Sequence, residues 1–140
     1  MATTRPISEQ AAHLRVAIAR THRRMRQEAG GGLSATLTAA LGTVERHGPL
    51  TPSELAERER VQRPTATKLV ARLEADGLVA RTGDPLDRRS SLISLTPEGA
   101  ALLRAIRSRK DAFLARRLRT LSPADRATLD RAADILESLL

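Results

Sequence analysis

Side chains suited to recognising a polyanion recur at helical spacing in the middle of the chain. They are Arg63, Thr65, Thr67, Lys68 and Arg72, with Pro64 among them. Guanidinium, ammonium and hydroxyl groups donate hydrogen bonds to phosphates and base edges, and a proline ring suits a thymine methyl group. The opposite face is predicted to be buried, because it carries Ala66, Leu69, Val70 and Leu73.

The sequence therefore predicts a helix with its basic face in the major groove of double-stranded DNA. Residues near its N-terminus would lie deepest, so Arg63, Pro64, Thr65, Thr67 and Lys68 are candidates for base edges. Arg72 lies one turn further on and is a candidate for a phosphate contact. The alternative is a basic surface helix that is merely solvated.

A second basic group follows in the segment DPLDRRSS. Together with Gly83, its turn composition predicts a hairpin loop over residues 83–87, which ends at Asp87 and is followed by Arg88 and Arg89. Asp87 is expected to fix the loop by accepting hydrogen bonds. Arg89, or its neighbour Arg88, is a candidate for the minor groove, where the potential is most negative. Because side chains alternate along a strand, only one of the two arginines is expected to point at the groove floor.

Capping and breaking residues delimit the helices that position these groups. Thr51-Pro52-Ser53-Glu54 is a capping box with proline at the first helical position, and it predicts a helix that ends at Val61. Ser53 is a candidate for a backbone contact with DNA. Pro64 is expected to open the basic helix, and Gly77 to end it as a left-handed cap.

Two short strands and another helix are predicted after Gly77. Residues 78–81 and 92–95 are apolar enough for strands, and Thr96-Pro97-Glu98 opens a helix. Helix, helix, strand, turn, strand is the order of a winged helix-turn-helix, in which one continuous stretch supplies a major-groove helix and a minor-groove hairpin. The predicted fold class is mainly α, with a small β-hairpin wing and additional helices at both ends.

The segment LVARLEADGLVARTGDPLDRRSSLISLTPEG resembles the DNA-binding lobe of the MarR family of bacterial transcription regulators. The resemblance rests on LARLEADGLV-type and DxRxxxxxLTxxG-type patterns, with Asp87 and Arg89 on the family's D-x-R. It extends more loosely to the flanking helices. The resemblance implies a homodimer on a pseudo-palindromic operator, usually a repressor and often released by a small anionic aromatic ligand.

The ends of the chain are predicted to be dimerisation helices. One helix is expected from Ile7 to about Glu28, and Gly30-Gly31-Gly32 breaks it. A second helix is expected from Ser34 to Gly48-Pro49, a long one from Glu98 to about Leu118, and a last one from Ser122. These terminal helices are apolar on more than one face, which a dimer would bury. The alternative is a monomer whose terminal helices cap its own winged module.

We thus expect one domain over residues 1–140, with a DNA-binding lobe at 33–97 and dimerisation helices at 1–30 and 98–140. The formal charge of +8 favours a polyanionic partner, although arginine-rich chains are also typical of high-GC genomes. The absence of cysteine excludes thiol chemistry. Without a long apolar run or a signal-peptide pattern, a cytoplasmic protein without membrane association is expected.

Nothing in the sequence predicts catalysis, a metal site or a cofactor. The three histidines are scattered and no catalytic or nucleotide-binding motif is present. Polar residues of the flanks are candidates for binding the carboxylate of the effector that the resemblance implies, in a crevice between the terminal helices and the lobe: His13, Arg15, His22, Arg46 and His47. The alternative is that these five are ordinary surface residues.

Three function classes follow from the sequence. An operator-specific dimeric regulator is favoured over a non-specific architectural DNA binder and over a winged helix used for protein interaction. Phe113 is the only aromatic residue, so stacking platforms for single-stranded nucleic acid are missing.

Overall fold

The computed structural model describes residues 4–140, which form six helices and one antiparallel β-hairpin. The elements, in chain order, are α1 (Ile7–Ala29), α2 (Ala35–His47), α3 (Pro52–Glu59), α4 (Arg63–Ala75), β1 (Val79–Asp84), β2 (Asp87–Leu95), α5 (Pro97–Leu118) and α6 (Pro123–Glu137). This arrangement confirms the predicted fold class, a mainly helical winged helix-turn-helix with additional helices at both ends.

Three helices begin where a hydroxyl residue was predicted to cap them. The Ser34 hydroxyl accepts a hydrogen bond from the backbone N–H of Leu37 at 3.2 Å. At α3 the capping box is complete: Thr51 accepts from the N–H of Glu54 at 3.1 Å, and the Glu54 carboxylate accepts from the N–H of Thr51 at 3.0 Å. Ser122 caps α6 in the same way. Each cap satisfies backbone donors that the first turn of a helix leaves unpaired.

The end of α4 also follows the prediction. The helix stops at Ala75, and Gly77 adopts a φ of 74° two residues later. An L-residue with a side chain is disfavoured in that left-handed region, so glycine suits the position. The break after α1 likewise lies in the glycine run 30–32, where all three residues have positive φ.

Other boundaries differ from the prediction. Helix α3 ends at Glu59, before Val61, because Arg60 takes a left-handed conformation. Helix α4 begins one residue before Pro64, at Arg63. Both strands are longer than predicted and the turn shrinks to Pro85 and Leu86. The added strand residues are mostly polar and exposed, so the apolar pattern that predicts a half-buried strand is missing from them.

The hairpin is regular near the core and irregular near its tip. Its register runs from Val79 opposite Leu95 to Gly83 opposite Ser91. The next pair is Asp84 with Asp87, so residues 88–90 of β2 have no counterpart in β1. On its other edge β2 is held by Leu50, whose N–H donates to the Ile93 carbonyl at 3.1 Å, while Ile93 donates back at 2.7 Å. This bridge fixes the base of the hairpin to the chain segment between α2 and α3.

The chain divides into two compact units, one of which spans residues 30–107. Its core consists of apolar side chains from the three helices α2, α3 and α4, from Leu50 and from the hairpin. The largest fully buried ones are Leu41, Val44, Leu50, Leu55, Val70, Leu73 and Ile93. The first half of α5 belongs to this unit through buried Leu103. An ion pair of 2.6 Å also joins Arg107 on α5 to Glu45 on α2. Hydrogen bonding by Arg107 lowers the pKa of Glu45 from its ordinary value.

The motif LTPEG forms the junction between the hairpin and α5. The Thr96 hydroxyl donates to the Gly77 carbonyl at 2.7 Å and accepts from the Gly99 N–H at 3.0 Å. A Cβ on Gly99 would lie 2.2 Å from the carbonyl oxygen of Leu78. Glycine is therefore required because two backbones meet there, and the family-like pattern at this point has a packing reason.

The other unit consists of α1, the part of α5 from Ser108 onward, and α6. Arg109 donates a hydrogen bond to the carbonyl of Ala29 at 2.9 Å, which joins α5 to the end of α1. Phe113 is buried, with the Arg117 guanidinium 5.3 Å from its ring centre. Helix α6 has no buried residue. Within residues 4–140 no helix combines the length and the apolar composition needed to cross a bilayer.

Candidate nucleic-acid interface

The predicted basic face lies on the exposed side of the first turns of α4. Exposed side chains on these turns include every candidate for base contact: Arg63, Pro64, Thr65, Thr67 and Lys68. The predicted apolar stripe faces inward, with Ala66, Val70 and Leu73 buried. The Thr67 hydroxyl donates to the carbonyl of Arg63 at 3.0 Å, so it retains only acceptor capacity for a further partner.

Near the C-terminal end of α4, two arginines form ion pairs with carboxylates. The Arg72 Nε is 3.0 Å from Asp76 Oδ2, one helical turn away. The Arg81 Nε on β1 is likewise 3.0 Å from Glu74 Oε2. Among residues 4–140, no carboxylate forms such a pair with Arg63 or Lys68. The unpaired positive charge of α4 is therefore concentrated at its N-terminal end.

A tight turn of three residues, 60–62, connects helix α3 to α4. Near the end of α3, Glu59 accepts a hydrogen bond from the buried hydroxyl of Thr43 on α2. Ser53 lies in the first turn of α3, partly buried, next to the capping box. The left-handed conformation of Arg60 in this turn was not predicted, since arginine carries no sequence signal for it.

The wing is shaped by its two aspartates. Asp87 accepts a hydrogen bond from the backbone N–H of Arg89 at 2.9 Å, and Asp84 accepts from the N–H of Leu86 at 2.9 Å. These two side chains replace ladder bonds at the tip, where the register breaks. The structure thus contains the loop-fixing contact that was predicted for Asp87, with the backbone as donor.

The arginines of the wing, Arg88 and Arg89, are both exposed. The expectation that they point to opposite faces assumed a regular ladder, and the structure contradicts that assumption. Residues 88–90 lie in the irregular stretch without partners in β1, where strict alternation does not apply. Within the described residues, neither guanidinium is engaged in an ion pair.

The five candidates for effector binding are divided between the two compact units. His13, Arg15 and His22 are exposed on α1, whereas Arg46 and His47 are exposed at the end of α2. His13 Nδ1 is 2.6 Å from the guanidinium of Arg5.

A groove of about 510 Å³ is present in the unit that contains α1, and other residues line it: Arg20, Thr21, Arg23, Arg24, Gln27, Phe113, Leu114 and Arg117. None of the five effector candidates is among them. This groove was not predicted from the sequence, although the spacing of the arginines on α1 is visible there. In the described part of the chain, no group of three or more acidic or histidine residues is arranged to hold a metal ion.

Comparison with known proteins agrees with this architecture. The model of the MarR family matches residues 33–91. An uncharacterized HTH-type transcriptional regulator of Mycobacterium bovis is 37% identical over 131 residues, which cover 93% of this chain and 92% of the relative. The HTH-type transcriptional repressor MdtR of Bacillus subtilis is 35% identical over 91 residues, covering 65% of this chain and 59% of MdtR.

A crystal structure of a proposed transcriptional regulator from Pseudomonas aeruginosa matches with a TM-score of 0.87 and 33% identity. The match covers 98% of this chain and 97% of that one. The names of these relatives describe them as regulators or a repressor of transcription. The resemblance found in the sequence is thereby confirmed: the chain belongs to the MarR family and is a DNA-binding transcription regulator with a winged helix-turn-helix.

Proposed function

We propose that this regulator binds a pseudo-palindromic operator as a homodimer and represses transcription from it. The observation that carries the proposal is the pairing of two exposed basic features in one compact unit. The unit formed by residues 30–107 holds both the unpaired cations at the start of α4 and the two arginines of the wing. A helix fits the major groove, and an arginine suits the narrow minor groove beside it.

Within this surface we assign separate roles by position. The start of α4 reads base edges through Arg63 and Lys68, with Thr65, Thr67 and Pro64 beside them. Arg72 contacts phosphate in competition with Asp76, and Ser53 adds a contact at the start of α3. In the wing, Arg89 enters the minor groove, Asp87 holds the loop, and Arg88 contacts the flanking backbone.

The homodimer is proposed from the helices outside the DNA-binding unit. Helix α6 buries none of its residues in the chain, although Leu129 and Ile135 on it are apolar. Leu14 and Ile18 on α1 are exposed as well. Apolar surface of this extent is costly in water, and a second copy would cover it. In this proposal residues 4–30 and 98–140 supply the dimer contacts, residues 33–97 bind DNA, and the chain forms one functional domain. Residues 1–3 of the predicted N-terminal range lie outside the described residues.

Repression and effector release are the finer parts of the proposal. The name of MdtR describes that relative as a repressor, and we extend the role to this chain. The effector would be a small anionic aromatic compound, held through cationic side chains of the flanking helices. Because the protein acts on chromosomal DNA, we assign it to the cytoplasm. Release of operator by salicylate-like acids, together with a thermal shift, tests the effector; no response across a broad panel would remove it from the proposal.

Selection of bound fragments from the source genome, followed by footprinting, tests the central claim. A specific regulator protects one palindrome with two equivalent half-sites, and its binding weakens steeply as salt is raised. Uniform coating of all fragments would instead identify an architectural DNA binder. No salt-sensitive DNA binding at all would indicate a protein-interaction module.

A further inference from the structure

The turn between α3 and α4 contains a strained arginine. Arg60 has φ 54° and ψ 45°, and it is the one non-glycine residue with positive φ among residues 4–140. Its N–H donates to the Glu57 carbonyl at 3.2 Å, and the N–H of Val61 donates to the Ala56 carbonyl at 3.0 Å. This pattern closes α3 and redirects the chain into α4 within three residues. The left-handed conformation is therefore imposed by the turn, and a glycine would adopt it at lower cost.

Contacts within the protein do not explain why arginine occupies this position. The Arg60 side chain is exposed, and within the described residues its guanidinium forms neither a hydrogen bond nor an ion pair. Arg72 and Arg81, by contrast, each lie 3.0 Å from a carboxylate. Backbone strain at a residue whose side chain makes no compensating contact is a reason to look for a function of that side chain. The partial negative charge at the end of α3 also favours a cation here, but that role would affect stability and not the affinity for DNA.

We propose that Arg60 is a phosphate contact at the edge of the DNA-binding surface. The inference rests on the proposed function, in which the start of α4 enters the major groove. The turn that leads into α4 then lies at the rim of that groove, where the sugar–phosphate backbone passes. Arg60 precedes Arg63 by three residues, and its planar guanidinium suits two-pronged binding of phosphate oxygens. This contact carries no sequence information but fixes the position of α4 in the groove.

Three substitutions at Arg60 separate its charge from its backbone conformation. Arg60→Gly and Arg60→Asn remove the charge and tolerate the left-handed conformation, whereas Arg60→Lys keeps the charge. The control is Arg58→Ala, which removes an exposed arginine from the body of α3 two residues earlier. Thermal melting and DNA binding are measured for each variant, on the selected operator and on a random duplex, across a series of salt concentrations.

We expect Arg60→Gly to raise the melting temperature and weaken binding to both duplexes by a similar factor, roughly tenfold for the two half-sites together. The slope of log affinity against log salt should fall by about one for each phosphate that the variant leaves unneutralised. Arg60→Asn should show the same loss of affinity. Arg60→Lys should retain most of the wild-type affinity, because it keeps the charge. An Arg60→Gly variant that melts higher and binds with unchanged affinity and salt slope would overturn this inference alone. Absence of DNA binding by the wild-type protein would overturn the proposed function as well.

Discussion

Cations on α4 differ in whether a carboxylate already holds them. Lys68 and Arg63 have no such partner among residues 4–140, whereas Arg72 shares its charge with Asp76. An arginine in an ion pair has to exchange that partner for a phosphate when DNA binds, so its net contribution is small. Lys68 gives up only water. The two ends of one helix should therefore contribute differently to affinity and to specificity.

This difference can be measured by alanine substitution. Lys68→Ala should cost about 1–3 kcal/mol on the preferred operator and flatten the base preference at one position in each half-site. Arg72→Ala should weaken binding to all duplexes alike. The loss should be smaller than for Lys68→Ala, because Arg72 has to give up its ion pair with Asp76 before it can bind a phosphate. Competition binding on a set of single-base operator variants gives both quantities. An equal decrease in affinity for Lys68→Ala on specific and random DNA would exclude a base-reading role.

In the wing, the hydrogen bond between Asp87 and the backbone of Arg89 gives a second prediction. Arg89→Ala should weaken operator binding, lower the salt slope by about one for each arginine withdrawn from the DNA, and remove any preference for A·T pairs in the flanks. Asp87→Ala should give a milder form of the same defect, because the arginine remains but its backbone is no longer held. Titration of both variants with operator at several salt concentrations measures these effects.

Arg88→Ala is the matched comparison for the wing, since it removes the same charge from the adjacent position. Because Arg88 is a proposed backbone contact, its loss should lower affinity and the salt slope without changing the preference for A·T pairs. If Arg88→Ala abolishes binding while Arg89→Ala has no effect, the roles of the two arginines are reversed. The register break makes this outcome a real alternative, because regular strand geometry does not orient these two side chains.

Among the elements, those with a local cause were predictable from the sequence. Ser34, Thr51 and Ser122 cap the helices that follow them, and Gly77 ends α4, as their residue types indicated. The length of the strands was not predictable, because exposed polar residues join a ladder only when the opposite backbone is in reach. The left-handed Arg60 was missed for a related reason: the turn imposes the conformation, and the residue type gives no sign of it.

The junction at Gly99 provides the test at this scale. Gly99→Ala should destabilise the protein by about 1–3 kcal/mol, because a Cβ would overlap the Leu78 carbonyl and the backbones would have to separate. The control is Gly83→Ala: Gly83 has open space at the Cβ position. Urea unfolding of both variants measures the difference. Equal stability of the two would mean that α5 shifts freely and that this close approach does not hold the hairpin.

Across the whole molecule, the exposed basic face of α4 was more predictable from the sequence than the surroundings of the proposed effector residues. The basic face of α4 could be recognised because helical spacing and an apolar opposite face are local signals. The proposed effector residues required knowledge of which helices approach one another, and a sequence pattern does not contain that information. The five candidates lie in two units of the structure, and the arginine-lined groove of α1 and α5 involves none of them.

Helix α6 gives the prediction for the assembled molecule. Replacing Leu129 and Ile135 together by glutamate should convert the proposed dimer into a monomer, since each side chain is about half exposed in the single chain and apolar. Operator binding should fall with it, because each half-site alone is weak. Light scattering at micromolar concentration measures the mass. Leu86→Glu is the control for the mass measurement alone, as it places the same charge on an exposed apolar residue of the wing, outside α6, and should leave the mass unchanged. A wild-type monomer that still binds operator tightly would contradict the dimer.

The exposed tip of the hairpin also makes the molecule suitable for optical measurement. Leu86 is 96% exposed, and the chain contains neither tryptophan nor tyrosine. A Leu86→Trp variant would therefore carry one indole chromophore per chain, without emission from any other tryptophan or from tyrosine. In free protein its fluorescence should be that of indole in water and be quenched readily by acrylamide. When the wing enters a groove, the emission should shift to shorter wavelength and the quenching should decrease, which reports wing docking separately from binding by α4. An emission spectrum that operator leaves unchanged would mean that the tip stays in solvent.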